Sequence, residues 1–156
     1  MTKHPEPSKI REMCDLIEVA NKKYHPDIDM NYIAVSKTEC GTVCCHAGLF
    51  ELALESKKTG DYAWYQDSIY PNKYSLYSKD DRVDYIGASK LIAKYLGFNS
   101  AGELTDWALT HRQLWGNSRG SLMFQDAYAF GTSNNTITVQ RIIDHWRAVA
   151  GRIEKI

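Results

Sequence analysis

The C-terminal segment constrains the fold more than any other part of the chain. Over residues 139–153, apolar side chains recur as Val139, Ile142, Ile143, Trp146, Val149, Ala150 and Ile153. At about 100° of rotation per residue these share an arc of about 120°, with charged residues opposite. Such a helix is soluble on one side only and must bury its stripe against something else. The N-terminal segment carries a matching stripe. Ile10, Met13, Cys14, Ile17 and Ala20 fall within a similar arc, on a helix expected to start after Pro7 with Ser8 as its N-cap. At 156 residues the chain fits one ordinary domain.

The middle of the chain continues the helical pattern. A helix following Asp80 and Asp81 presents Tyr85, Ala88, Leu91, Ile92, Tyr95 and Leu96, and Gly97 is placed to end it. Ser100-Ala101-Gly102-Glu103 has capping-box spacing and opens a short helix through about Thr110, with Leu104, Trp107 and Ala108 apolar. Asn117-Ser118 can cap a further helix through Leu122, Phe124 and Tyr128 to Gly131, followed by a polar loop. Residues 42–56 read as a helix apolar on two sides: Gly41, Cys44, Cys45, Gly48 and Leu52 on one arc, Val43, Ala47, Phe50 and Leu54 on nearly the opposite one. A helix of that kind is central, and Gly48 lets a neighbouring backbone approach closely. Strict alternation and long β-branched runs are scarce. The expected fold is all-α: one domain over residues 1–156, an irregular bundle of about six helices around a central helix near residues 42–56, with room for a small β element within residues 62–78.

Charge narrows the function. Nineteen Lys and Arg balance nineteen Asp and Glu, with no long run of one sign. A duplex-binding protein needs a net basic face, so nucleic acid is not the expected partner. No stretch of about 18 apolar residues occurs, so no membrane span is expected. The polar first residues, with Pro5 and Pro7, lack the apolar core of a signal peptide. The four cysteines therefore read as reduced thiols and the compartment as the cytoplasm.

The segment Cys40-Gly41-Thr42-Val43-Cys44-Cys45-His46 is the most suggestive for chemistry. On a helix, however, Cys44, Cys45 and His46 diverge, and structural zinc takes two converging ligand arms. Only Cys40 and Cys44 have arm spacing, and no second arm is visible. Burial as small apolar residues accounts for these cysteines more simply. No metal or cofactor is expected. Cys40-Gly41-Thr42 followed by Cys45, Ala47 and Gly48 resembles a Cys-Gly-Thr-x-x-Cys-x-Ala-Gly signature of small bacterial and phage proteins that have no assigned activity. Leu96-Gly97 and the C-terminal amphipathic helix also stand where those proteins have them. The likeness covers about nine contiguous residues. Cys44 departs from it where a small residue such as Ala is usual, and Leu49 where an aromatic is common. The resemblance implies an α-helical fold and a bacterial or phage setting, and carries no catalytic residue.

No Ser/His/Asp ordering, nucleophile elbow, phosphate loop or dinucleotide-binding glycine pattern is present. His145 borders the apolar arc of the last helix, where a packed ring edge suits it. His111 stands near a helix end, where a cation favours the dipole, and His4 and His25 lie beside prolines. The stretch carrying Tyr62, Trp64, Tyr65, Tyr70 and Tyr74 is different. Its rings are too irregularly spaced for one helix face, and aromatic side chains bring large contact area with a polar tip. They either fold back as a cap on the core or form a contact surface. The expected function is a non-catalytic helical module acting by protein contact or self-association. The alternative is a small thiol- or metal-dependent enzyme or redox protein using Cys40, Cys44 or Cys45.

Overall fold

The computed structural model describes residues 3–24, 27–28, 43–44, 50, 62–66, 74–78, 88–116 and 137–156. Five helices carry most of them: α1 (Pro7–Tyr24), α2 (Ala88–Tyr95), α3 (Ala101–Thr110), α4 (Arg112–Trp115) and α5 (Val139–Glu154). Two short strand pairs accompany them: β1 (Asp27–Ile28) with β2 (Val43–Cys44), parallel, and β3 (Tyr62–Gln66) with β4 (Tyr74–Ser78), antiparallel. Among the described residues no helix is long and apolar enough to cross a membrane.

The two terminal stripes meet each other. Ile10, Met13, Cys14, Ile17 and Ala20 of α1 are fully buried, as are Ile142, Trp146, Val149 and Ala150 of α5, with Val139 and Ile143 close to it. Ion pairs fix the direction of packing. Arg11 reaches Glu154 through two nitrogens at 2.8 and 3.2 Å, while Arg147 reaches Glu18 at 2.9 Å and Asp15 at 3.5 Å, so the helices run antiparallel. Solvent surrounds these charges, which set register more than they add stability. The buried Cys14 thiol donates to the Ile143 carbonyl at 3.8 Å, tying the stripes at their centre.

Local chemistry sets each helix end. The Glu6 carbonyl accepts from the Ile10 N–H at 3.2 Å, which puts Pro7 at the first helical position, where its missing N–H costs nothing. The start thus lies two residues before one capped by Ser8. Thr138 caps α5 by accepting from the Arg141 N–H at 3.1 Å. At the end of α2, the Phe98 N–H donates to Ala93 at 2.8 Å and the Gly97 N–H to Lys94 at 3.1 Å, around Gly97 at φ 91°. That is a Schellman stop, with Phe98 buried as its apolar member. Ser100 accepts from the Glu103 N–H at 3.1 Å, and the Glu103 carboxylate accepts from the Asn99 N–H at 2.7 Å. The capping box is present in a form shifted by one residue, since the usual return bond goes to the cap residue itself.

Past α3 the chain makes one more turn than expected, α4, and stops at Gly116 with φ 80°. The Arg152 guanidinium donates to the Leu114 carbonyl at 3.2 Å and occupies the space a Gly116 side chain would need. Trp115 is thereby held in the core, edge-on to Trp146 with ring centres 5.1 Å apart.

One expected element needs correction. A helix over residues 42–56 cannot begin at Thr42, because Val43 and Cys44 are extended and pair with Asp27 and Ile28. Gly41 interrupts helical propensity, and Thr42-Val43 is a β-branched pair that favours extended backbone. Phe50 is helical and fully buried, edge-on to Tyr95 at 5.1 Å. The remainder of the expected central helix, Gly48 included, and the helix after Asn117 lie outside the described residues.

Candidate functional site

Within the aromatic segment, β3 and β4 pair antiparallel in a defined register. Tyr62 lies opposite Ser78, Trp64 opposite Leu76 and Gln66 opposite Tyr74; Ala63 lies opposite Tyr77 and Tyr65 opposite Ser75. Residues directly opposite share a face, and faces alternate along each strand. Tyr62, Trp64, Tyr74 and Leu76 therefore belong to one face, and Tyr65 and Tyr77 to the other. Irregular spacing in the sequence becomes a two-sided arrangement. Neither strand contains a charged residue. Tyr70 falls between the strands, outside the described residues.

Cys44 lies in β2 beside Ile28, so helical divergence no longer describes its relation to its neighbours; Cys40, Cys45 and His46 lie outside the described residues. Cys14 is buried, and burial first, outweighing nearby Arg147, pushes its thiol up to about 12. It is a packing residue, since the thiolate is the reactive form. Among the described residues no group of three or more His, Cys, Asp or Glu side chains could hold a metal.

A second feature was not legible in the sequence. The extended residues before α1 lie against α3, where the Trp107 indole N–H donates to His4 Nδ1 at 3.1 Å. His111 stacks on Trp107 with centres 5.6 Å apart and planes 23° apart, and meets the His4 ring edge-on at 4.9 Å. His111 Nδ1 lies 2.9 Å from the Trp107 carbonyl, and because a carbonyl only accepts, that nitrogen carries the proton. Phe98 tilts against Trp107 at 6.1 Å. Beside this cluster opens a groove of about 450 Å³, walled by residues 3–6 and Lys9 on one side and by Tyr95, residues 96–99 and Glu103 on the other. Lys9 sits over the Tyr95 ring at 5.2 Å and pairs with Glu12 at 3.3 Å. Burial, then the Glu12 carboxylate, holds the Tyr95 phenol well above its ordinary range. The four-residue spacing of Trp107 and His111 was visible in the sequence; the arrival of His4 from the other end of the chain was not.

His145 packs as its position beside the apolar arc suggests, edge-on to Trp115 at 4.6 Å and to Trp146 at 6.2 Å. Burial, then the charges of Arg152 and Arg141, lowers its imidazole from 6.5 to about 4, so the ring is neutral near pH 7. His145 is a half-buried ring at the edge of the core.

No family model, no curated protein and no solved structure matches the chain.

Proposed function

We propose that this chain is a non-catalytic interaction module that uses the aromatic hairpin β3–β4 as its contact surface, with a second copy of the chain as the simplest partner. One observation carries the reading: the strand register assigns aromatic positions to both faces of a two-stranded sheet. A pair of strands is not stable alone in water and needs a covering surface. A single helical core can cover one face, which leaves either Tyr65 and Tyr77, or Trp64 and its neighbours, for a partner. The absence of charge along both strands supports the same reading, because charged side chains are what usually keep an edge strand from pairing. Symmetric pairing of two copies is the commonest form of association. The balanced charge of the chain argues against nucleic acid as the partner. Extending the reading to a helical bundle of about six helices, in a bacterial or phage cytoplasm, rests on the helical periodicity and on the resemblance around Cys40–Gly48.

Two double variants test the reading. Tyr65→Ser/Tyr77→Ser and Trp64→Ser/Leu76→Ser are compared with the parent for molar mass in solution and for melting temperature. The expected outcome is asymmetric: one pair lowers the melting temperature, while the other dissociates a complex and leaves the fold intact. A parent that is monomeric at all concentrations, and that unfolds with either pair, would show that the rings belong to the core.

A further inference from the structure

Strands β3 and β4 follow one size pattern. Tyr62-Ala63-Trp64-Tyr65-Gln66 and Tyr74-Ser75-Leu76-Tyr77-Ser78 both run large, smaller, large, large, smaller. Their antiparallel register uses that pattern. Tyr62 lies opposite Ser78 and Tyr65 opposite Ser75, while Tyr77 lies opposite Ala63 and Tyr74 opposite Gln66. Every tyrosine position thus meets a smaller residue across the ladder, and Trp64 and Leu76 meet at its centre. Such cross-strand pairs are the unit that stabilises a sheet. Reversed end for end, the pattern also matches itself: the first position falls opposite the fifth, the second opposite the fourth and the third opposite the third. Either strand therefore complements a copy of itself by the rule that already pairs it with the other.

Among the described residues β3 and β4 pair with each other and with no other strand, so each keeps one edge without a strand beside it. Such an edge presents backbone N–H and C=O groups ready to pair, and neither strand carries the charge that usually prevents it. Two strands alone are marginal in water, and stability takes three or more with an apolar face. We propose that the free edge of β4 pairs antiparallel with β4 of a second copy, centred on Leu76, so that two copies share one four-stranded sheet in the order β3-β4-β4-β3. Tyr74 of one copy then lies opposite Ser78 of the other, Ser75 opposite Tyr77, and Leu76 opposite Leu76, as a two-fold axis requires. The choice of β4 follows from size. In β4 both smaller positions are serine and the central pair is Leu on Leu. In β3 one smaller position is the longer Gln66, and two Trp64 residues would stand directly opposite at a Cα spacing of about 4.5–5.5 Å. This assignment rests on the reading of the strand pair as a contact surface, and adds to it the edge and the register.

The test measures molar mass against concentration for the full chain, for Ser75→Lys/Ser78→Lys and for the matched Ala63→Lys/Gln66→Lys. Both pairs put lysine opposite tyrosine within one copy, but only the first puts it on the shared edge. Ser75→Lys/Ser78→Lys should weaken dimerisation about tenfold or more relative to Ala63→Lys/Gln66→Lys. If either variant fails to fold, the parent chain decides. In a mixture of isotope-labelled and unlabelled chains, filtered nuclear Overhauser spectra should show Hα–Hα contacts between copies, either Tyr74 with Ser78 and Leu76 with Leu76, or Ser75 with Tyr77. A chain that is monomeric at all concentrations would overturn both the contact surface and the shared edge. A dimer that the Tyr65→Ser/Tyr77→Ser or Trp64→Ser/Leu76→Ser pair dissociates, but that lacks these contacts or shows them between β3 strands, would overturn the β4 edge and leave the contact surface standing.

Discussion

The start of the chain is held down twice, by two different kinds of contact. Residues 7–24 lie on α5 through a continuous apolar stripe, whereas residues 3–6 lie on α3 through one indole–imidazole hydrogen bond and its ring contacts. The first contact grows with the apolar area it covers. The second hangs on the direction of one hydrogen bond. Together they show how adjacent segments can be held in one case by area and in the other by a single directional bond.

Four measurements would break or sharpen that contrast, beginning with the largest effect. Trp146 is fully buried in the middle of the α5 stripe, so Trp146→Ala should cost on the order of 3–5 kcal/mol in chemical denaturation. An unchanged denaturation midpoint would contradict the stripe-on-stripe packing. His145 is the acid-sensitive point of the stripe region. Folding holds its ring below its free value, so the unfolded chain binds more protons between pH 6.5 and about 4. Stability should therefore fall as pH drops through that window, by up to about 3 kcal/mol, in urea titrations across the pH range. His145→Phe should flatten this slope, and a slope that persists would assign the acid lability to other groups.

Smaller effects are expected at the wall and latch of the groove. Gly97 has open space around its Cβ position but φ 91°, so Gly97→Ala should cost about 1–2 kcal/mol from backbone strain alone. An effect near zero in thermal denaturation would mean that α2 ends in another way. Trp107→Phe keeps an aromatic ring but deletes the donor, and should lower global stability by only about 0.5–1.5 kcal/mol. Its distinguishing mark is faster amide exchange at residues 3–6 with α5 protection unchanged; equal loss in both regions would erase the distinction between the stripe and the single bond.

The reasons for legibility differ between the regions. Every residue assigned to the α1 stripe is buried, as are six of the seven assigned to α5, with Ile153 partly buried in the last turn. Helix periodicity and apolar character are local properties, and a one-sided stripe has only one way to be buried. Gly97 and Ser100 were readable for a similar reason, since caps and stops act on backbone within a few residues of themselves. Val43 and Cys44 show where that logic stops. A short apolar run fits a buried helix and a buried strand equally well, and Asp27 and Ile28, as pairing partners, decided for the strand.

The candidate sites follow the same division. That Tyr62, Trp64, Tyr65 and Tyr74 cannot share one helix face followed from their spacing, and this much the sequence determined. Which of them share a face depended on the pairing of β3 with β4, because the period of two assigns faces only once the segment is known to be extended. The order and faces of α1 and α5, the helix stops and the neutral charge balance were likewise determined by the sequence, through local geometry and composition. The tertiary structure alone decided that His4 meets Trp107 and His111. A hydrogen bond between residues 103 positions apart leaves no periodic trace in either segment, because its partners are chosen by where α1 and α3 pack and not by any preference of the chain around them.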